Sequence, residues 1–317
     1  MKILVTGGSG FIGSNFVRHM LQKYKEIEII NLDSLTYAGN SKNLSSLNSR
    51  SNYLFIKGDI RDKDLVEFIF KKNIHSLINF AAESHVDRSI TNPKLFLETN
   101  ILGTQVLLEA AKKHGIERFI QISTDEVYGT LGDTGMFSEE TNLSPNSPYS
   151  ASKASADLLV RSYNKTYNLP TIITRCSNNY GPYQHPEKLI PLIITKALKN
   201  IPIPIYGDGS NVRDWLHVSD HCEAIDLVLN KGRTGEVYNI GGSSEMSNLM
   251  VVKMILRLLN KGEDLITFVV DRKGHDKRYA VDFSKIKEEL GWVPKLQYMD
   301  GIKQTISWYI ENELWWK

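Results

Sequence analysis

Tyr149 and Lys153 stand four residues apart in Tyr149-Ser-Ala-Ser-Lys153, directly after Ser147-Pro148, and Thr124-Asp125-Glu126 lies upstream of them. A serine cap followed by proline at the first helical position opens a helix well, so Tyr149 and Lys153 share one face of it. A free phenol titrates near pH ~10, and a neighbouring ammonium together with a cationic ring brings its phenolate within reach of neutral pH. That pair alone suggests oxidation of an alcohol. Two adjacent carboxyls in a cleft can be driven apart in pKa, one kept protonated as an acid and the other ionised as a base. A tyrosine base with its own acid and carboxylate therefore points to oxidation coupled to a second proton transfer, such as removal of water from a sugar. Each pattern also has a plain reading, as a Tyr-Lys pair on a solvated helix face or an exposed Asp-Glu turn.

These groups need a scaffold that brings a redox cofactor to them. Gly7-Gly8-Ser9-Gly10-Phe11-Ile12-Gly13 follows a β-branched run and opens an amphipathic one, the context a dinucleotide fingerprint requires. Gly7, Gly10 and Gly13 allow a tight turn, close approach of a pyrophosphate and close helix-to-strand packing, with the pyrophosphate on the helix N-terminus at Phe11 and Ile12. Asp33 closes the second strand twenty residues beyond Gly13. Its carboxylate would accept both adenosine ribose hydroxyls and repel a 2′-phosphate, which favours NAD over NADP. Ser34, Leu35 and Thr36 follow it, and Asp59-Ile60 and Ala81-Ala82 fall at the next strand ends, where the rest of the cofactor would pass.

Short apolar runs alternate with amphipathic stretches throughout the first half, the signature of βαβ units. Strands are predicted at residues 2–6, 28–32, 53–57, 76–81, 118–123 and 171–176, and helices at 12–24, 64–72 and 93–114. In the last of these, Leu97, Ile101, Val106, Leu108, Ala110 and Ala111 should cover one face of the sheet. Beyond Cys176 the regularity breaks at Ser177, Asn178, Asn179 and three prolines, and the later elements are helices at 218–230, 247–260 and 299–314 and a strand at 236–240. The expected fold is α/β, a doubly wound parallel sheet of the NAD-binding Rossmann type with a smaller C-terminal substrate-binding lobe. Residues 1–176 would form the first domain, rejoined by about 214–240, and 177–317 the lobe.

The 38 basic and 36 acidic residues nearly cancel and are scattered, which gives no support for binding nucleic acid or an anionic membrane. No apolar run approaches the about 20 residues of a bilayer span, and the chain starts directly on a strand without a charged leader. Two cysteines, Cys176 and Cys222, form neither a disulfide framework nor a metal-ligand spacing, so a reducing, cytoplasmic setting is expected and no metal is.

The segments TGGSGFIGS, LDSLTYAGN, AAESHVDRSI, STDEVYG, YSASK, SNNYGPYQHPEKLIP, GDGSNVRDWLHVSDH and RKGHDKRYA together resemble, nearly end to end, the dTDP-glucose 4,6-dehydratase family of extended short-chain dehydrogenase/reductases. The glycine loop and YxxxK mark only the superfamily; Asp125-Glu126 and the NNYGPYQ and GHDxRYA segments are more specific. Departures are small, Ser9 for a frequent Ala and Lys273 for a frequent Pro. The resemblance implies that Tyr149 takes the sugar 4-hydroxyl proton as carbon 4 gives hydride to NAD, helped by Thr124 and Lys153. It implies that Glu126 removes the carbon-5 hydrogen, Asp125 protonates the departing 6-hydroxyl, and hydride returns to carbon 6. Thr99 and Asn179 join the implied cofactor contacts. The implied nucleotide-sugar site holds Ser84, Thr124, Asn178, Lys188, Tyr206, Arg213, Asn248, Arg272 and His275, with the arginines and Lys188 on a diphosphate. A homodimer built on the helices at 93–114 and 150–167 follows by the same analogy. A nucleotide-sugar 4-epimerase and a non-catalytic NAD-binding module are the rival readings, and Asp125 and Glu126 argue against both.

Overall fold

A computed structural model describes every residue from Met1 to Lys317. The first half is built from β1 (Lys2–Thr6), β2 (Glu28–Asp33), β3 (Tyr53–Lys57), β4 (Ser76–Asn79), β5 (Arg118–Thr124) and β6 (Thr171–Cys176). Around them pack α1 (Phe11–Lys23), α2 (Lys63–Phe70), α3 (Val86–Thr91), α4 (Pro93–Phe96), α5 (Thr104–His114) and α6 (Pro148–Tyr167). The second half contributes β7 (Asn178–Tyr180), α7 (Leu189–Leu198), β8 (Ile203–Tyr206), β9 (Val212–His217), α8 (Val218–Lys231) and β10 (Val237–Ile240). It ends with β11 (Glu245–Ser247), α9 (Asn248–Leu258), β12 (Ile266–Val269), α10 (Ser284–Leu290), α11 (Tyr298–Glu311) and α12 (Glu313–Trp316).

The central sheet has seven parallel strands in the order β10-β6-β5-β4-β1-β2-β3, one more than the regular first half contains. Alternation along β1 decides how its two faces are covered. Ile3 and Val5 pack with Phe16, Val17 and Met20 of α1 and Ile225 and Val228 of α8. Leu4 turns to the opposite layer with Ile69 and Phe70 of α2, Leu107 of α5 and Val160 of α6. Strand order reverses direction between β1 and β4, and in such sheets the crevice at the carboxyl ends of those strands is where ligands bind.

A second core is built by Ile190, Ile193 and Ile194 of α7, Val251, Val252 and Ile255 of α9, and Ile302 and Ile306 of α11. It supports a three-stranded sheet in the order β11-β9-β7 and the parallel pair β8 and β12.

The helix predicted as continuous over 93–114 is interrupted: after α4 the backbone widens into a π-helical segment, Leu97–Gly103. The wide turn brings Asn100 inward, where it accepts from the Glu83 amide (2.9 Å) and donates to the Glu83 carbonyl (3.0 Å) and Ser152 Oγ (2.8 Å). Leu97 consequently faces outward and is exposed rather than covering the sheet. Such departures from the α-helix often sit at functional sites.

Candidate active site

A single cleft runs along the carboxyl edge of the central sheet from the glycine loop to the segment after β7. At one end Gly7 has φ +69°, and a Cβ there would lie 2.6 Å from the Ala81 amide nitrogen, so only glycine lets the loop lie against the end of β4. A Cβ on Gly13 would collide with the Gly7 carbonyl. Gly10 is the N-cap of α1 without a side-chain hydrogen bond, so the first amides of the helix keep their donors for an incoming anion. Asp33 is held by two amides, Ser9 N to Oδ2 and Leu35 N to Oδ1, both at 2.8 Å. Burial raises its carboxyl, and those two amide bonds pull it back down. Each oxygen retains a lone pair for a ribose hydroxyl.

At the other end β5 delivers Thr124 to the cleft and a 3₁₀ turn, Asp125–Tyr128, follows at once. Helix α6 opens with a complete capping box, Ser147 Oγ accepting from the Ser150 amide (3.1 Å) and Ser150 Oγ from the Ser147 amide (3.0 Å). That cap fixes where Tyr149 and Lys153 project. Lys153 is buried and donates to the Ile122 carbonyl of β5 at 2.6 Å. Burial lowers its ammonium, while Asp157 one turn further along α6 and Cys176 raise it. Spacing predicts a phenol brought down by its lysine, and the protein alone does the reverse. Burial, Glu126, Cys176 and Asp125 push Tyr149 well above its ordinary value, with only hydrogen bonding to Thr124 pulling down. The Lys153 ammonium is directed at a carbonyl, so a further positive charge beside Tyr149 is needed to reach the phenolate.

The two carboxyls differ in surroundings. Asp125 is 1% exposed, touches Thr124 Oγ1 through Oδ1 (3.2 Å), and its Oδ2 is buried without a partner. Burial first, then the neighbouring Glu126, raise its carboxyl well above the usual range, which favours its protonated form. Glu126 is also raised by burial, but Arg272, Arg213 and Lys188 oppose that shift. All three cations bear electrostatically on Glu126. Lys188 donates to the Ser84 carbonyl (2.9 Å), Tyr206 donates to Asp87 Oδ2 (3.1 Å), and the Arg272 guanidinium lies 3.7 Å from Asp87 Oδ1. Asn178 Oδ1, Asn248 Oδ1 and Arg272 Nε are buried and make no hydrogen bond within the protein. Unpaired buried polar atoms call for partners, and a ligand rich in hydroxyls and phosphate oxygens supplies them.

Residues 4–305 match the family model described as GDP-mannose 4,6 dehydratase. A dTDP-glucose 4,6-dehydratase of Xanthomonas campestris is 53% identical, covering 98% of this chain and 94% of its own. The chain belongs to the dTDP-glucose 4,6-dehydratase family. The crystal structure of the Bacillus anthracis member in complex with NAD is 55% identical, with a TM-score of 0.94 over 100% of this chain and 98% of that one. The Streptomyces venezuelae member, crystallised with NAD bound, is 50% identical with a TM-score of 0.98 over 100% and 99%. A UDP-glucose 4-epimerase of Thermotoga maritima shares the fold at 31% identity and a TM-score of 0.92, covering 99% of this chain and 100% of its own.

Against that family background, the cleft gathers Thr124, Asp125, Glu126, Tyr149 and Lys153 in one place, and with them the predicted cofactor contacts other than Leu35. Leu35, with φ +52°, works from behind by holding Asp33. Ser84, Asn178 and Lys188 line the same cleft. Tyr206, Arg213, Asn248, Arg272 and His275 do not, lying instead in the lobe beyond Glu126. There His275 is held by Asp271 (2.6 Å) and edge-on to Tyr206, and Arg213 donates to the Asp276 carbonyl (2.9 Å).

Some residues at the site escape a reading by motif. Arg61, Cys176, Gln184 and Glu187 line the cleft, and Asp157, paired to Arg175 at 3.0 Å, is buried behind Lys153. The place of Asp157 one turn past Lys153 was a usable signal.

Proposed function

We propose that this chain is an NAD-dependent lyase that converts dTDP-glucose to dTDP-4-keto-6-deoxyglucose. The observation that carries the reading is the Asp125-Glu126 pair beside Tyr149, the acid buried and pushed toward its protonated form, the base half-buried and opposed in that shift by Arg272, Arg213 and Lys188. A 4-epimerase needs no such pair. The glycine cradle, the uncapped start of α1 and the twice-held Asp33 fit NAD, which supplies, when bound, a hydride acceptor at carbon 4 and a donor at carbon 6.

In this reading Tyr149 takes the proton of the 4-hydroxyl, and Thr124, within hydrogen-bond reach, holds that oxygen. Lys153, anchored on Ile122, holds a cofactor ribose and keeps positive charge beneath Tyr149. The 4-ketone acidifies the carbon-5 hydrogen, which Glu126 removes as Asp125 gives its proton to the 6-hydroxyl that departs as water, and carbon 5 takes a proton back when carbon 6 is reduced. Arg213, Arg272 and Lys188 take the diphosphate. Asn178, Asn248, Tyr206, Ser84 and His275 fix the rest of the nucleotide sugar, so the lobe after residue 176 acts as the substrate half. Exposed Leu97, Leu102 and Leu158 on the outer faces of the π segment and α6 support a homodimer through those helices. Buried free Cys176 and Cys222 agree with a cytoplasmic setting, and no helix is long and apolar enough to cross a membrane.

Incubation with dTDP-glucose in deuterium oxide tests the reading. Deuterium should appear at carbon 5 of a 4-keto-6-deoxy product. Galactose-configured nucleotide without water loss would mean an epimerase, and unchanged substrate a binding module.

A further inference from the structure

The chain's last helix reaches back across the molecule to the loop that would hold the cofactor. Trp315 of α12 donates through Nε1 to Asn43 Oδ1 at 2.8 Å. Asn43 is 1% exposed and sits in the 3₁₀ turn Ser41–Leu47, far from α12 in sequence. Its Nδ2 donates in turn to the Ser9 carbonyl at 2.9 Å, and its own carbonyl accepts from Arg18 Nε of α1 at 3.0 Å. Ser9 lies in the centre of the glycine loop. Its amide donates to Asp33 Oδ2, its carbonyl also accepts from the Asn40 amide (3.0 Å), and its hydroxyl accepts from Asn31 (3.1 Å).

We infer that Trp315 is a positioning residue for the NAD site, acting through Asn43 on Ser9 and thereby on the Gly7–Gly13 loop and Asp33. The Trp315 ring is itself fixed, edge-on to Trp308 at 5.1 Å and Tyr183 at 6.0 Å, and Tyr183 carries the Arg18 guanidinium 5.0 Å from its ring centre. Arg18 thus holds the backbone of Asn43 and Trp315 its side chain, and the orientation of its amide is dictated because one side must accept from Trp315 while the other donates to Ser9. The serine at position 9 takes part through its backbone, and its hydroxyl adds the Asn31 contact that an alanine lacks. A loop whose carbonyls are already committed keeps its amides facing the ligand, and such preorganisation lowers the ordering that binding requires.

The inference rests on NAD being the ligand of this loop, and the test separates the two. NAD affinity is measured by titration of the cofactor-stripped full-length chain, without substrate, for wild type, Trp315→Phe and Trp316→Phe. Trp316 Nε1 donates to the Tyr309 carbonyl in the same aromatic cluster and does not touch Asn43, so its variant reports loss of packing at the chain end. Trp315→Phe should raise the NAD dissociation constant about five-fold, about 1 kcal/mol, while Trp316→Phe leaves it within about two-fold. Asn43→Ala, which breaks the link to both ends, should do at least as much as Trp315→Phe, and combining the two should add little. Equal affinities for wild type and Trp315→Phe, or equal losses in both tryptophan variants, overturn the inference. No NAD binding by wild type would instead overturn the assignment of the cofactor.

Discussion

Replacing Asp125 by Asn separates the two halves of the proposed reaction. The amide keeps the shape of the carboxyl and an oxygen that can accept from Thr124 as Oδ1 does at 3.2 Å, but it has no acidic proton for a leaving hydroxyl. General acid catalysis contributes typically ~100-fold to ~10,000-fold. Asp125 is sealed from water at 1% exposure, so solvent cannot readily stand in for it, and we expect a loss of about 1,000-fold, about 4 kcal/mol. Oxidation at carbon 4 uses Tyr149 and Thr124 and should survive. Stopped-flow absorbance after mixing with dTDP-glucose should therefore show the NADH band rise and persist, whereas in wild type it is transient, with product appearance slowed about 1,000-fold. Folding stability should move the other way. Burial lifts the Asp125 carboxyl well above 3.8, so as pH rises past that value the unfolded chain ionises first and wild type loses stability until the folded group also titrates. The amide has no such loss. Asp125→Asn should melt at a higher temperature than wild type at neutral pH, and the gap should close on acidification toward pH 3.8. Product formation within about ten-fold of wild type would refute the assigned role of Asp125, and a variant less stable at neutral pH would refute its burial in the protonated form.

Glu126→Gln should also accumulate NADH but, unlike Asp125→Asn, should lose exchange of the carbon-5 hydrogen with deuterium oxide, read by nuclear magnetic resonance of recovered sugar. Gly13→Ala would push a methyl into the Gly7 carbonyl, and NAD affinity by titration should fall at least ten-fold, about 1.4 kcal/mol. Asp226 on α8 is drawn up by burial, but hydrogen bonds from His19 (2.9 Å), Lys23 (2.6 Å) and Tyr24 (3.0 Å) outweigh that and leave it below its ordinary value. Its contribution is thus present above the usual carboxylate range and lost as pH falls through the lowered value. Asp226→Asn should lower stability by about 2 kcal/mol at neutral pH in urea melts, a difference that shrinks toward pH 3.

The glycine loop, Asp33, the Thr124-Asp125-Glu126 run and Tyr149 with Lys153 are all legible in the sequence, because each depends on local geometry. A tight turn needs glycine, a cap needs serine, and a helix face repeats every four residues. The six regular strands are legible for the same reason. What sequence leaves open is whatever depends on distant segments meeting. A strand at 236–240 and the return of about 214–240 to the first domain are expected from the sequence, but that Val237–Ile240 pairs in parallel with β6 as the seventh strand of the sheet is decided by tertiary contact. The widened turn at Leu97–Gly103 goes together with the contact of Asn100 with distant Glu83. The electrostatics were the least legible: burial sets the state of Asp125 and Tyr149, and burial belongs to the packed molecule. Sequence supplied an acid, a base and a phenol at one strand end. Tertiary structure decided which carboxyl is pushed further toward its protonated form, that Arg213, Arg272 and Lys188 oppose that push on the other, and that Trp315 of α12 closes on Asn43 beside the glycine loop.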